Sequence, residues 1–151
     1  MADIAVNCTD DVLATVRGVS DFGKGKDSKV FFVYSEEDLL SINKGGLLSY
    51  PLAGVMYEGI RANGNDNIGN GRVTDLFVTV AVIFDSGKLG STELEIKNQA
   101  AMVLDTLRRG MTGRVSPTKR PWRFISEVPA GTIGANRVVY LQRWATQVML
   151  P

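Results

Sequence analysis

Apolar residues recur at helical spacing through the stretch from Thr92 to Arg109 and just beyond it. Ile96, Ala100, Val103, Leu104, Leu107 and Met111 form one stripe, and Glu93, Lys97, Asp105, Arg108 and Arg109 fill the rest of the circumference. The pattern predicts a long central helix over 92–111 that buries one face. Thr92 followed by Glu95 fits a capping box, and Gly110 and Gly113 can supply a left-handed stop. Before this helix, Val73 to Asp85 alternates. Leu76, Val78, Val80, Val82 and Phe84 are all apolar, whereas the odd positions mix Asp75, Thr79 and Asp85 with Phe77, Ala81 and Ile83. That is a strand whose even face meets the core, where the helix can pack across it, and its length suggests that part of it projects as a hairpin arm.

Other runs read in the same way. Val30 to Tyr34 is β-branched and aromatic and predicts a strand, and Pro51 begins a second one with Gly54 and Gly59 as its weak points. Trp122 to Glu127 alternates, the segment 128–136 reads as a turn, and Arg137 to Leu150 is a final strand. In that last strand Val138, Tyr140, Trp144, Val148 and Leu150 share one parity and Val139, Leu141, Ala145 and Met149 the other, so both faces need cover, which a neighbouring subunit is one way to provide. Thr9 or Asp10 caps a short N-terminal helix reaching Val19 through Val12, Leu13 and Val16. The stretch from Ser20 to Ser28 reads as a flexible polar connection. Ser35 with Asp38 caps a short helical turn ending near Ile42, which explains the carboxylates Glu36, Glu37 and Asp38 better than a divalent metal does. The segment from Arg61 to Arg72 holds three Gly and four Asn in twelve residues and reads as a flexible hairpin loop carrying Asn63, Asn65 and Asn67. Its glycines are not a phosphate loop, because no Gly-Lys-Ser/Thr follows. The fold class expected is α+β, a mainly antiparallel sheet in one domain over 1–151, with the long helix on one face.

Composition narrows the chemistry. The chain has no His and a single Cys in 151 residues, so the usual zinc sites, Cys–His pairs and Ser-His-Asp triads are absent by inventory. Cys8 reads as an inert small apolar residue in a chain made in a reducing cytosol, without a membrane span. No catalytic, metal or cofactor residue is nominated, and an enzyme is not expected. Charge is divided along the chain. Residues 1–106 carry nine Lys/Arg against fifteen Asp/Glu, and 107–151 carry eight Lys/Arg against Glu127 alone, beneath a net charge of +1. Arg108, Arg109, Arg114, Lys119, Arg120 and Arg123, with Trp122 among them, form a basic segment, and no Asp or Glu lies between Thr106 and Ser126. Such a dipolar chain suits head-to-tail packing in a ring, whereas basic residues with an interleaved aromatic suit a nucleic-acid strand.

The ordered pieces FFVYSEEDLL from Phe31, YPLAGVMYEG from Tyr50, VLDTLRRGM from Val103, PWRFISEVP from Pro121 and YLQRWATQV from Tyr140 resemble the tail terminator proteins of long-tailed bacteriophages, particularly the minor tail proteins of Mu-like phages. The resemblance covers most of the chain from Phe31 onward. It implies a strand-rich sheet flanked by helices and a homohexameric ring that caps the tail tube and offers the head–tail joining surface. The partners implied are the tail tube protein, a head–tail connector or neck protein, the tail sheath, and DNA passing through the channel, in a virion tail or neck assembled in the host bacterial cytoplasm. The partner-facing residues expected are the six cations above and Asn63, Asn65 and Asn67. The long N-terminal helix of the family corresponds here only to Asp10–Val19. Another neck, sheath-end or baseplate protein, or a nucleic-acid-binding module on 108–123, is the alternative.

Overall fold

The computed structural model describes residues 2–42, 48–68, 71–85, 92–132 and 137–150. Its elements are α1 (Ala2–Arg17), β1 (Val30–Phe32), α2 (Glu36–Ser41), β2 (Leu52–Ile68), β3 (Gly71–Asp85), α3 (Glu93–Met111), β4 (Arg123–Thr132) and β5 (Arg137–Leu150). The fold is the α+β arrangement expected. Five strands lie in the order β1-β2-β3-β5-β4, with β1 parallel to β2 and every other neighbour antiparallel.

The even face of β3 is the floor of the main core. Leu76, Val78, Val80, Val82 and Phe84 pack in one cluster with Ala100, Val103, Leu104, Leu107 and Met111 of α3, and with Trp144 and Val148 of β5. The cap of α3 is as read: Thr92 Oγ1 accepts from Glu95 N at 3.2 Å. Gly113, not Gly110, supplies the left-handed turn, at φ 76°, and Gly110 lies inside the helix. A second helix shares this face. α1 begins at Ala2 rather than near Asp10, because Cys8, Val12 and Val16 lie four apart on one stripe that Ile4 and Ala5 extend backward onto the same core. Thr9, expected as a cap, is buried mid-helix, where its hydroxyl donates to Ala5 O at 2.7 Å.

The segment 20–28 is more structured than its composition implied. It makes two 3₁₀ turns, Ser20–Phe22 and Gly25–Asp27, and the fully buried Phe22 ties them to the core. Gly23 sits at φ 84°, and a Cβ there would lie 2.5 Å from Asp27 O, so the turn requires glycine. The helical turn α2 is capped in both directions: Ser35 Oγ accepts from Asp38 N at 3.4 Å, and Asp38 Oδ2 accepts from Tyr34 N at 3.0 Å. α2 covers one end of the odd face, where Leu39 packs with Leu52, Ala81, Ile83 and Val139. Gly54 allows that approach, since a Cβ would meet Leu39 Cδ1 at 2.9 Å.

Two segments read as irregular are strand. β2 and β3 run on through most of 61–72, with Arg61 opposite Asp75, Ala62 opposite Thr74, Asn67 opposite Arg72 and Ile68 opposite Gly71, and an irregularity between Ala62 and Asn67. The backbone ladder decides here. β3 is held by β5 as far as Arg72, opposite Leu150, and so presents a hydrogen-bonding template that side-chain composition does not report. β3 is therefore flanked along its length rather than projecting alone. β4 likewise continues to Thr132 through Pro129, which an edge strand tolerates; residues 133–136 lie outside the described ones.

Candidate interaction surfaces

Four of the six cations singled out in sequence have carboxylate partners. Arg108 pairs with Glu127 and, at 3.5 Å, with Asp105; Arg109 reaches Asp105 at 3.0 Å, Arg114 reaches Asp11 at 3.0 Å and Arg123 reaches Asp75 at 2.6 Å. The partners of Arg114 and Arg123 lie 103 and 48 residues away, beyond any local pattern. Among the described residues Lys119 and Arg120 have no ion pair, and both are exposed. Asn63, Asn65 and Asn67 lie on β2, but their side chains are outside the described ones.

The segment from Thr112 to Trp122 is a tight hydrogen-bonded turn. Val115 bridges Pro121, Ser116 N donates to Arg120 O at 2.8 Å, and Trp122 N donates to Arg114 O at 2.8 Å. Ser116 is buried, with its hydroxyl 2.8 Å from that of Thr146 on β5. Lys119 takes φ 69° at the tip, and its side chain and that of Arg120 are exposed.

Asp11 is the brace on the other side. Its Oδ2 accepts from Trp122 Nε1 at 2.8 Å and its Oδ1 from Arg114, so one carboxylate on α1 fixes both ends of the turn. Glu127 does the same for α3. It accepts from Arg108 and from Gln142 Nε2 at 2.8 Å, while Gln142, fully buried, also donates to Leu104 O at 3.0 Å. These acidic residues were missed because each serves a distant element.

Away from α2, the odd sheet face carries among the described residues a compensated polar surface. Glu58, set at a register shift in β2, accepts from Arg143 and from Thr79, and the guanidinium groups of Arg61 and Arg143 lie 5.1 and 5.5 Å from the Phe77 ring centroid.

At the β1 edge, on the even face, α1 and the sheet leave a groove of about 500 Å³. Its mainly apolar lining includes Val6, Leu13, Phe32, Tyr34 and Tyr57, with Asp10 on its wall. Val6 is 57% exposed and Tyr34 81%, and Phe32 meets Tyr34 edge-on with centroids 4.7 Å apart. The parity of Phe32 and Tyr34, with Val6 off the α1 stripe, was the sequence signal for it. At the other edge β4 exposes Phe124, Ile125 and Val128, and the Phe124 ring stands edge-on to Trp144 with centroids 5.5 Å apart. Cys8 lies fully buried on the core face of α1; burial first, and then the Asp11 charge, push its thiol up to about 11. Burial and then the Cys8 charge raise the Tyr57 hydroxyl as well.

Among the described residues no group of three or more His, Cys, Asp or Glu is placed to hold a metal ion, and no helix is long and apolar enough to cross a membrane. No family model matches the chain, and no curated protein matches it. Among solved structures, its fold is similar to a chain in the virion of a native gene transfer agent (GTA) particle. The TM-score is 0.57 and the identity 14%, with 99% of each chain covered.

Proposed function

We propose that this chain is a structural protein of a phage-type virion, and within it a tail terminator: a homohexameric ring that caps the tail tube and presents the surface to which the head is joined. The observation that carries the reading is the likeness of fold over 99% of both chains to a component of a virion. The finer role rests on the resemblance from Phe31 onward and on α1, whose 16 residues answer to the long N-terminal helix expected of that family.

Two features support assembly over an isolated monomer. The sheet ends in two edges that both expose apolar side chains, an arrangement a solitary domain normally avoids. The strand order also sets β1 and β2, from the first part of the chain, at one side and β5 and β4, from the last part, at the other, so the two ends of the sheet differ. A surface of unlike ends favours heterologous, ring-closing contacts. Within the ring, Lys119 and Arg120 on their braced turn, and the far end of the β2–β3 hairpin, are assigned to contacts with an adjacent ring or tube subunit or a neck protein. The nucleic-acid alternative is weakened by the pairing of Arg108, Arg109, Arg114 and Arg123 with carboxylates, which leaves little unneutralised charge for phosphates.

The test is composition of the particle. Virions purified from cells that express the chain with an affinity tag should carry it in the tail or neck fraction at a fixed stoichiometry, in multiples of a ring. Virions that lack it, or carry it at variable trace levels, would contradict the proposal.

A further inference from the structure

We propose that the groove between α1 and β1 receives an extended segment of a partner protein that carries a lysine side chain, held by aromatic faces and by the carboxylate of Asp10. Such a contact goes beyond the ring proposed above and does not depend on it.

The strand register sets three aromatic rings on one face of two adjacent strands. Phe32 lies opposite Val55, so Phe32 and, two residues on, Tyr34 share the even face with Tyr57, two residues beyond Val55. Across from them α1 closes the groove with Val6, Asp10 and Leu13, which helical spacing brings to one side. The rings are exposed, Tyr34 at 81% and Phe32 at 41%, and Phe32 stands edge-on to Tyr34 with centroids 4.7 Å apart. Asp38 Oδ2, accepting from Tyr34 N at 3.0 Å, fixes the backbone that carries the outer ring.

This lining has the chemistry of a cation site. The face of an aromatic ring is electronegative and attracts an ammonium group, and a carboxylate beside it adds to the attraction. Asp10 lines the groove, is exposed and has no ion pair among the described residues. No Lys or Arg among the described residues lines it. Arg17 and Lys29 stand at the start of β1, the end away from Tyr34, and reach other acceptors: Arg17 Nη2 donates to Val30 O at 3.4 Å and Lys29 Nζ to Ser49 O at 2.9 Å. A volume of about 500 Å³ with a mainly apolar lining also takes the lysine stem and one neighbouring apolar side chain.

The backbone of β1 selects a protein segment over a free amine. Lys29 O accepts from Ala53 N and Val33 N donates to Val55 O, so the odd residues here turn their peptide groups to β2. By the alternation of the ladder, Val30, Phe32 and Tyr34 turn theirs to the open edge. Arg17 takes Val30 O and Asp38 takes Tyr34 N, which leaves the N–H and C=O of Phe32 for an incoming strand. A residue paired with Phe32 has its side chain on the same face, over the groove, and the residue two positions along follows it there.

The experiment is an NMR titration of the isotope-labelled full chain with the peptide Ac-Ser-Lys-Ser-Leu-Ser-NH2, with the same peptide carrying norleucine in place of lysine, and with n-butylammonium. The lysine peptide should shift the ring signals of Tyr34 and Tyr57 and the Phe32 amide, and should bind roughly twofold to thirtyfold more tightly than the norleucine peptide, the range a cation over a ring supplies. Asp10→Asn and Tyr34→Ala, both at exposed positions, should each weaken it while leaving the circular dichroism unchanged. Norleucine binding as well as lysine would make the groove a purely apolar one and overturn the proposal, as would shifts that map elsewhere or no shift with any probe. n-Butylammonium binding as tightly as the lysine peptide would overturn the choice of a protein segment.

Discussion

Replacing Asp11 with Ala should destabilise the protein more than replacing it with Asn. Its Oδ2 accepts from the indole of Trp122, a side chain only 1% exposed, and its Oδ1 pairs with a half-exposed Arg114. Truncation leaves a buried indole N–H without an acceptor, at about 1–3 kcal/mol. The lost ion pair, open to solvent on the arginine side, adds about 0–1 kcal/mol. The sum for Asp11→Ala is roughly 1–4 kcal/mol, or about 2–16 °C in Tm for a domain of this size. Asn retains an acceptor for the indole and should cost about 1 kcal/mol. Urea unfolding followed by tryptophan fluorescence reads both, provided the slope is unchanged. A cost below about 0.5 kcal/mol for Asp11→Ala, or equal costs for the two variants, would refute the claim that this carboxylate braces the turn.

Leu107→Ala, at the fully buried centre of the α3 stripe, should cost about 2–5 kcal/mol by urea unfolding, and a near-neutral result would remove α3 from the core. Because the folded state holds the Cys8 proton up to about 11 against an ordinary 9.0, it binds a proton that the unfolded chain has released. That stability is fully present below pH 9 and is lost as pH rises toward 11; the raised Tyr57 acts in the same direction, and a urea midpoint that climbs over this range would contradict it. Lys119→Glu with Arg120→Glu should leave the circular dichroism unchanged yet weaken self-association at low salt more than at high salt, whereas equal assembly at both would make the pair a solvated face. Adding Arg114→Glu to that variant should also lower its stability, since Arg114 braces the turn through Asp11.

The elements legible in the sequence are those whose causes are local. α3 was read with its cap because Thr92, Glu95 and the apolar stripe are all within the helix, and β5 because its alternation is unbroken from Arg137 to Leu150. The errors share one physical origin, the priority of tertiary pairing over composition. Gly and Asn between Arg61 and Arg72 weaken a strand in isolation, but β3 arrives already held by β5. Pro129 looked like a turn because its missing N–H is costly in a central strand, not at an edge. α1 was cut short because a brief window over Ala2–Asn7 fits strand and helix alike, and only the core contacts of Ile4 and Ala5 decide between them. At the candidate surfaces, the cations could be read but not their neutralisation. Asp11 and Asp75 meet Arg114 and Arg123 only once the sheet has formed. The groove needed two elements, α1 and β1, to be placed side by side.

The central claim is that this chain closes into a ring on the end of a tail tube, and negative-stain imaging of the purified protein, alone and mixed with tail tubes, tests it most directly. The account predicts a six-fold ring seated on tube ends, with or without free rings in solution. Bare tube ends, together with a single monomeric mass by light scattering across the concentrations imaged, would contradict it.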